Sequence, residues 1–359
     1  MIEEIRRAGP MSTARFMALA LGHPTLGYYA GRDPLGAAGD FITAPEVSQV
    51  FGELLGLWLG QAWSDCGKPD PCLLVEPGPG RGTLMADLLR AAGHVPGFRP
   101  SLRVHLVETS ERLRDLQRAR LAGETVHWHA TLDEVPPGPM LLVANEFFDA
   151  LPVHQLVATG HGWVERTVDL NEGELAFGLA DRPSALARSL PEASSVLSQI
   201  AEVSPMRARI ARLIGRRLAM HGGVALIIDY GAWAPQVTGD TLQAVRGHAP
   251  CPLLDAPGKA DLSSHVDFRA LAEAGRDGGA AVYGPVPQGP FLRAMGIDLR
   301  IARLLERATP GQRRDLRAAL FRLTDASAMG ELFKVMALAR PGLPAPPGFA
   351  APTLLPESA

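Results

Sequence analysis

A doubly wound, mostly parallel α/β sheet is the fold class that this 359-residue sequence predicts. Three observations predict it. Short apolar runs alternate with helix-period segments from residue 73 onward, the β-α-β order that a parallel sheet requires. The first run ends in a glycine-rich turn that opens a helix. Polar residues capable of binding recur where runs end, at Glu76, Glu108 and Asn145–Asp149, and ligands of such sheets bind outside the carboxyl ends of the strands.

Residues 1–21 predict a helical start, with Met11, Phe16, Met17 and Leu19 to Leu21 inward and Ser12 as a cap. A loop rich in Gly, Pro and aromatics follows, carrying His23, Tyr28 and Asp40, residues that could fold over a ligand or simply pack. Thr43, Pro45 and Glu46 signal a helix over about 45–63, whose broad apolar face (Val50, Phe51, Leu54, Leu55, Trp58, Leu59) predicts burial.

Leu73–Pro77 is the first core strand, ending in Glu76. The glycines at Gly78, Gly80 and Gly82 follow, with a helix over 83–92. A strand that turns into a helix through glycines lets a ligand approach the backbone, because no Cβ intervenes. The pattern G-x-G-x-G is not the dinucleotide G-x-G-x-x-G, and it lacks the Lys-Ser/Thr of a phosphate-binding loop. Glu76 would sit poorly beside a pyrophosphate. It suits a ligand with positive charge and hydroxyls, and S-adenosylmethionine (SAM) meets that description; an ordinary tight turn is the plainer alternative.

The second strand, Val104–Val107, ends in Glu108, placed to accept hydrogen bonds from ribose hydroxyls. Ser110 caps the next helix. Short strands at 125–129 and 140–144 follow, the latter running into Asn145-Glu146-Phe147-Phe148-Asp149. Alternating residues over 153–179 predict inserted antiparallel strands. A helix over 205–221 leads to a fifth core strand, 224–228, ending in Asp229-Tyr230. An irregular segment spans 231–264. Asp267 caps a helix to about 275, a strand occupies 280–283, helices cover 289–296 and 298–325, and a last strand covers 331–340. The expected divisions are a helical extension with a lid loop (1–70), the first half of the ligand-binding core (71–152), the inserted strands (153–204), the second half of the core (205–340) and a loose tail (341–359).

Composition narrows the function. A net charge of −3 argues against a general nucleic-acid binder. No run of about 18 uninterrupted apolar residues predicts a membrane span. Cys66, Cys72 and Cys251 have no metal-ligand spacing, so no metal is expected, and their odd number predicts a reduced, cytoplasmic protein. The first eight residues do not form a secretory signal.

Five motifs together, Gly39–Glu46, Glu76–Leu84, Asn145–His154, Ile228–Gly231 and Asp261–Phe268, resemble the MidA family of SAM-dependent methyltransferases, relatives of a mitochondrial complex I assembly factor. The resemblance runs from about residue 5 to residue 340. It implies a seven-stranded class I methyltransferase core, SAM at the glycine turn and methylation of an arginine on a protein partner, a respiratory complex I subunit in the mitochondrial relatives. The chain has no evident mitochondrial presequence, which fits a bacterial-type member.

An arginine acceptor needs carboxylates to orient the guanidinium and draw its charge away from the attacking nitrogen. Glu146 and Asp149, three apart, would face the same way on a helical turn and form such a clamp. In the plainer alternative, Asn145-Glu146 caps the turn and Asp149 is a solvated charge. Asp229 is a further candidate on the acceptor side, or else a hydrogen-bonded strand terminus. His265 and Asp267 are weaker candidates. The expected cofactor residues are Glu76, Gly78, Gly80, Gly82, Glu108 and Asn145, and the expected catalytic ones Glu146, Asp149 and Asp229. A non-catalytic assembly factor that keeps the fold, and a methyltransferase of a small molecule, are the competing functions.

Overall fold

The computed structural model describes residues 1–31, 43–195, 197–233 and 239–353. In their described parts these form two compact units, one from Ile42–Phe148, Ile210–Trp233 and Phe268–Ala359, the other from Met1–Phe41, Asp149–Arg209 and Ala234–Asp267. The sequence groups residues 1–70 together, whereas the helix at 49–65 lies in the first of these units.

The first unit is built on seven strands: β1 (Cys72–Pro77), β2 (Leu102–Val107), β3 (Val126–His129), β4 (Met140–Asn145), β5 (Gly223–Ala232), β6 (Ala281–Pro287) and β7 (Phe333–Ala339). They lie in the order β6-β7-β5-β4-β1-β2-β3. The pairs from β5 to β3 are parallel, while β7 runs antiparallel to both β5 and β6. Strands β1 and β4 are buried along their whole length, so their apolar runs do not alternate, as expected where helices cover both faces of a sheet.

Chain order reverses between β1 and β4, and the ladder there is short. Leu73–Val75 pair with Met140–Leu142 and the pairing then stops. On either side the ladders continue: β1 stays paired with β2 to Pro77–Val107, and β4 with β5 to Asn145–Ile228. The tips of β1 and β4 are therefore released from each other, which opens the crevice that open α/β sheets use for ligands.

Helix α1 (Gln49–Asp65) begins at Ser48, whose hydroxyl accepts from Val50 N. Ser48 is extended, so the single helix expected from residue 45 is broken into Ala44–Val47 and α1. Gly52 and Gly56 set α1 against α2 (Thr83–Ala92): a Cβ at Gly52 would lie 2.5 Å from Asp87 Cβ, and one at Gly56 2.6 Å from Ala91 Cβ. The helix also buries Phe51, Leu55, Trp58 and Leu59, each contributing about 1.5–3 kcal/mol. Phe51→Ala would cost about 3–5 kcal/mol through the cavity it leaves. The expected helix over 298–325 is two, Ile297–Arg307 and Pro310–Thr324, with Thr309 forming a capping box with Gln312.

The second unit contains an antiparallel sheet in which Met11–Ser12, Gly162–Asn171, His154–Thr159 and Ile200–Val203 are successive neighbours and Glu174–Pro183 pairs with Gly162–Asn171. Its core gathers Phe16, Met17, Tyr28, Val153, Val168 and Leu262. Part of the segment expected to be irregular, 231–264, forms a small sheet of Ala249–Cys251, Gln243–Arg246 and Asp261–Ser263.

Candidate functional site

Strand β1 carries Glu76 into the crevice. Its side chain is 3% exposed, and burial alone pushes its carboxyl up to about 8. Oε2 is buried and has no hydrogen-bond partner among the described residues. Gly78, Gly80 and Gly82 follow, with φ of 63°, 52° and 78°. All three lie in the left-handed region that side-chain-bearing residues avoid. A Cβ on Gly78 would also come within 2.9 Å of Phe147 Cδ2, so the turn packs tightly on the segment that leaves β4. Gly82 starts α2 without a side-chain cap, leaving the helix N-terminus open toward the turn.

Beyond β2, Glu108 is buried, and burial raises its pKa against the lowering effect of the Ser110 and Thr109 backbone N–H groups. Ser110 N donates to Oε1 at 2.7 Å. Helix α3 (Glu111–Arg120) holds this tip in place: Arg114 Nε and Nη2 donate to the Glu108 carbonyl at 2.9 and 2.6 Å. Gln117, on the same helix and fully buried, donates from Nε2 to the Gly80 carbonyl at 2.8 Å and reaches Glu108 Oε2 at 3.5 Å.

The tip of β4 presents Asn145, buried, with Nδ2 donating to Glu146 Oε1 at 3.2 Å and Oδ1 without a partner among the described residues. Glu146 has φ 49°, a conformation that costs a glutamate about 1–3 kcal/mol. Its Oε1 also accepts the Ala44 N–H at 3.0 Å, at the start of the short helix Ala44–Val47. Glu46 on that helix accepts from the Thr83 hydroxyl at 2.6 Å, beside the glycine turn. One short segment is thus tied to both the β4 tip and the start of α2. Asp229 at the end of β5 is fully buried, and its two oxygens accept Phe148 N at 3.0 Å and Tyr230 N at 2.9 Å.

The helical turn expected to align Glu146 with Asp149 does not form. The left-handed Glu146 takes the chain out of β4 through a bend, and residues 149–150 form a turn. Phe148 closes one stretch of the sheet unit, and Asp149 opens a stretch of the other unit. There Asp149 is buried, and its carbonyl accepts from Ser264 N at 3.1 Å and Arg207 Nη2 at 3.0 Å. A solvated Asp149 is thereby ruled out as well.

The weaker candidates have local roles. His23 Nδ1 accepts from Thr25 N and Leu26 N, Tyr28 is core, His265 donates its backbone N–H to Thr241 Oγ1, and Asp267 precedes the helix Phe268–Asp277. Residues 39–42 of the first motif, Asp40 among them, lie outside the described residues. Reading the sequence missed Gln117, because a lone Gln on a charged helix looks like surface. It read Glu46 only as a helix-start acid.

These residues fit SAM. Two buried acceptors without partners among the described residues, Glu76 Oε2 and Asn145 Oδ1, end adjacent strands and call for hydrogen-bond donors, which an ammonium and hydroxyls supply. The turn between β1 and α2 offers backbone without side chains. Among the described residues no group of three or more His, Cys, Asp or Glu is arranged for a metal ion, and no helix is long and apolar enough to cross a membrane.

Known proteins agree with this reading. The human and zebrafish mitochondrial proteins named protein arginine methyltransferase NDUFAF7 are each 37% identical to this chain, over 93% and 92% of it and 81% and 84% of their own lengths. A COG1565 superfamily protein from Burkholderia thailandensis, solved with S-adenosyl-homocysteine (SAH) bound, superposes with a TM-score of 0.82 at 29% identity, covering 96% of this chain and 92% of its own. The mitochondrial setting of the vertebrate relatives overturns the expectation of a cytoplasmic protein, which rested on cysteine usage alone. Residues 54–286 match the family designated Methyltransf_28, and with that match this chain, whose strand tips offer acceptors for such a donor, belongs to the S-adenosyl-L-methionine-dependent methyltransferases.

Proposed function

We propose that this methyltransferase modifies an arginine side chain on a protein partner, with Glu76, Gly78, Gly80, Gly82, Glu108 and Asn145 holding SAM and Glu146 and Asp229 serving the acceptor side; Asp149, expected beside them, is left out because the turn that would align it with Glu146 does not form. The observation that carries the cofactor half is the pair of buried acceptors without partners among the described residues, Glu76 Oε2 and Asn145 Oδ1, where the β1–β4 ladder has ended. The arginine half is supported by relatives that carry that activity in their names over nine-tenths of this chain. A subunit of respiratory complex I is the partner class that the family resemblance adds.

In this reading Glu76 faces the ammonium, Glu108 the ribose hydroxyls, and the glycine turn leaves room for the backbone of the ligand. Bound there, SAM would supply a methyl group: the carbon–sulfur bond breaks with its electron pair left on sulfur, giving SAH, a carbon–nitrogen bond forms, and the nitrogen gives up one N–H proton to solvent. The protein contributes proximity and alignment. A guanidinium with a pKa above about 12 is a poor nucleophile, and a carboxylate that holds it in place localises its charge away from one nitrogen. Glu146 takes that role directly. Asp229 acts through the loop that its two hydrogen bonds hold.

Labelled SAM added with the purified chain to a lysate tests the proposal. Label in a protein band that yields methyl-arginine on hydrolysis supports it. Label only in the small-molecule fraction, or none, replaces it with one of the competing functions. Glu146→Gln keeps an oxygen for Ala44 N–H while removing the charge. It should bind SAH normally and lose methylation, and normal methylation would take Glu146 out of the acceptor site.

A further inference from the structure

Gln117 ties together two parts of the crevice that the sequence separates, and we propose that it is a positioning residue which sets the enzyme's preference for a ribose-bearing donor. The inference rests on the reading that Glu108 receives the ribose hydroxyls. Gln117 touches no ligand in this proposal; it acts through Glu108 and Gly80.

The geometry is specific. Gln117 Nε2 donates to the Gly80 carbonyl at 2.8 Å and faces Glu108 Oε2 at 3.5 Å. Trp128 Nε1 donates to Gln117 Oε1 at 2.9 Å. An indole N–H only donates, so it fixes which end of the amide is oxygen. The NH₂ end is thereby turned toward the two acceptors. The other oxygen of Glu108 is held by Ser110 N at 2.7 Å. Glu108 is thus set from both sides, by a backbone N–H at Oε1 and by an amide at Oε2, while the same amide fixes the glycine turn. Gln117 is fully buried, and a buried amide needs such partners to be tolerated. The Cα of Gln117 lies 3.5 Å from where a Cβ on Gly82 would sit, so the helix backbone itself leans on the turn.

Losing the amide leaves the Glu108 carboxylate held by a backbone N–H at Oε1 while Oε2 loses its side-chain partner. Its hydrogen bonds to hydroxyls then weaken, while contacts elsewhere on the ligand are kept. The signature is a change in discrimination, not a general loss of binding.

Binding of SAH and of its 2′-deoxyribose analogue to the full chain, measured by calorimetry, tests this. The wild type should prefer SAH by about tenfold or more, the value of a hydrogen bond to a charged group. Gln117→Leu, of similar volume, should compress that preference by about threefold or more, and Trp128→Phe, which removes the N–H that orients the amide, should act in the same direction by less. Equal weakening of both ligands in Gln117→Leu, with the preference intact, overturns the proposal. If Gln117→Leu does not fold, Trp128→Phe decides it by the same criterion. Glu108→Gln separates this failure from failure of the underlying reading: if it leaves the preference of the wild type intact, Glu108 does not receive the ribose, and the role of Gln117 falls with it.

Discussion

The carboxylate of Asp229 accepts the backbone N–H of Phe148 at 3.0 Å across 81 residues of sequence, and its other oxygen accepts Tyr230 N at 2.9 Å. The end of β5 thereby dictates how the chain leaves β4. Asp229→Asn replaces one of two engaged oxygens with an NH₂ group that faces an N–H. The mismatch leaves a buried donor unsatisfied and should cost about 1–3 kcal/mol in urea unfolding. It should also weaken SAH binding, because Asn145 lies on the same strand tip. An unfolding curve that matches the wild type would remove Asp229 from this role.

Glu76 makes a prediction about protons. Its pKa, raised to about 8 by burial, means that the ligand-free protein holds it neutral at pH 7. An ammonium beside it favours the carboxylate, so binding should release about one proton at pH 7 and fewer as the pH rises past 8. Calorimetry with SAH in two buffers of different ionisation enthalpy measures the release directly. Glu76→Gln should abolish it. Binding without proton release in the wild type would place the ammonium elsewhere.

Gly78 and Gly82 share a left-handed backbone but not the same surroundings. A Cβ at Gly78 meets the Phe147 ring at 2.9 Å, whereas at Gly82 the nearest atoms, on Gln117, lie at an ordinary 3.5 Å. Both alanine variants incur about 1–2 kcal/mol of backbone strain. Only Gly78→Ala must also push Phe147 aside, and Phe147 adjoins the left-handed Glu146. Gly78→Ala should therefore weaken SAH binding more than Gly82→Ala at a similar loss of unfolding stability. The reverse order in a titration of both variants would show that the contact with Phe147 does not shape the crevice.

Much of this was legible in sequence. Where a strand is short, apolar and followed by a helix, period and length locate it, as at 73–77 and 140–144. Residues at strand ends inherit their place from the strand, so Glu76, Glu108 and Asn145 could be placed at strand tips without coordinates. Glu146 and Asp149 were misread because i, i+3 spacing is informative only inside a helix, and nothing local marks Glu146 as left-handed. The break at Thr309-Pro310 carried a signal, a capping residue before proline, that a continuous apolar pattern concealed. The partners of Asp229 and Gln117 depend on tertiary pairing, which no local pattern encodes. The strands at 243–246, 249–251 and 261–263 are too short to show alternation.

A histidine cluster on β2 and β3 completes the pH behaviour. His105 on β2 is opposite His127 on β3, and its Nδ1 lies 2.9 Å from His129 Nε2. Burial first, then His129, His127 and Arg217, holds its pKa down to about 4. In the unfolded chain it returns to about 6.5, so between these values the unfolded state binds the extra proton. Its stabilising effect is full above about pH 6.5 and is lost as the pH falls toward 4. Glu76 acts in the opposite sense: its folded pKa is raised, so its contribution is full below about 4.5 and is lost as the pH rises through 8, with a slope of at most about 1.4 kcal/mol per pH unit. The two windows overlap, so the wild-type profile alone cannot assign them and single substitutions must. His105→Gln should remove a rise of stability with pH between about 4 and 6.5, and Glu76→Gln a fall between about 4.5 and 8 in the ligand-free protein. If His105→Gln unfolds with the acid dependence of the wild type, the imidazole is already protonated in the fold, and the cluster does not exclude charge as its packing implies.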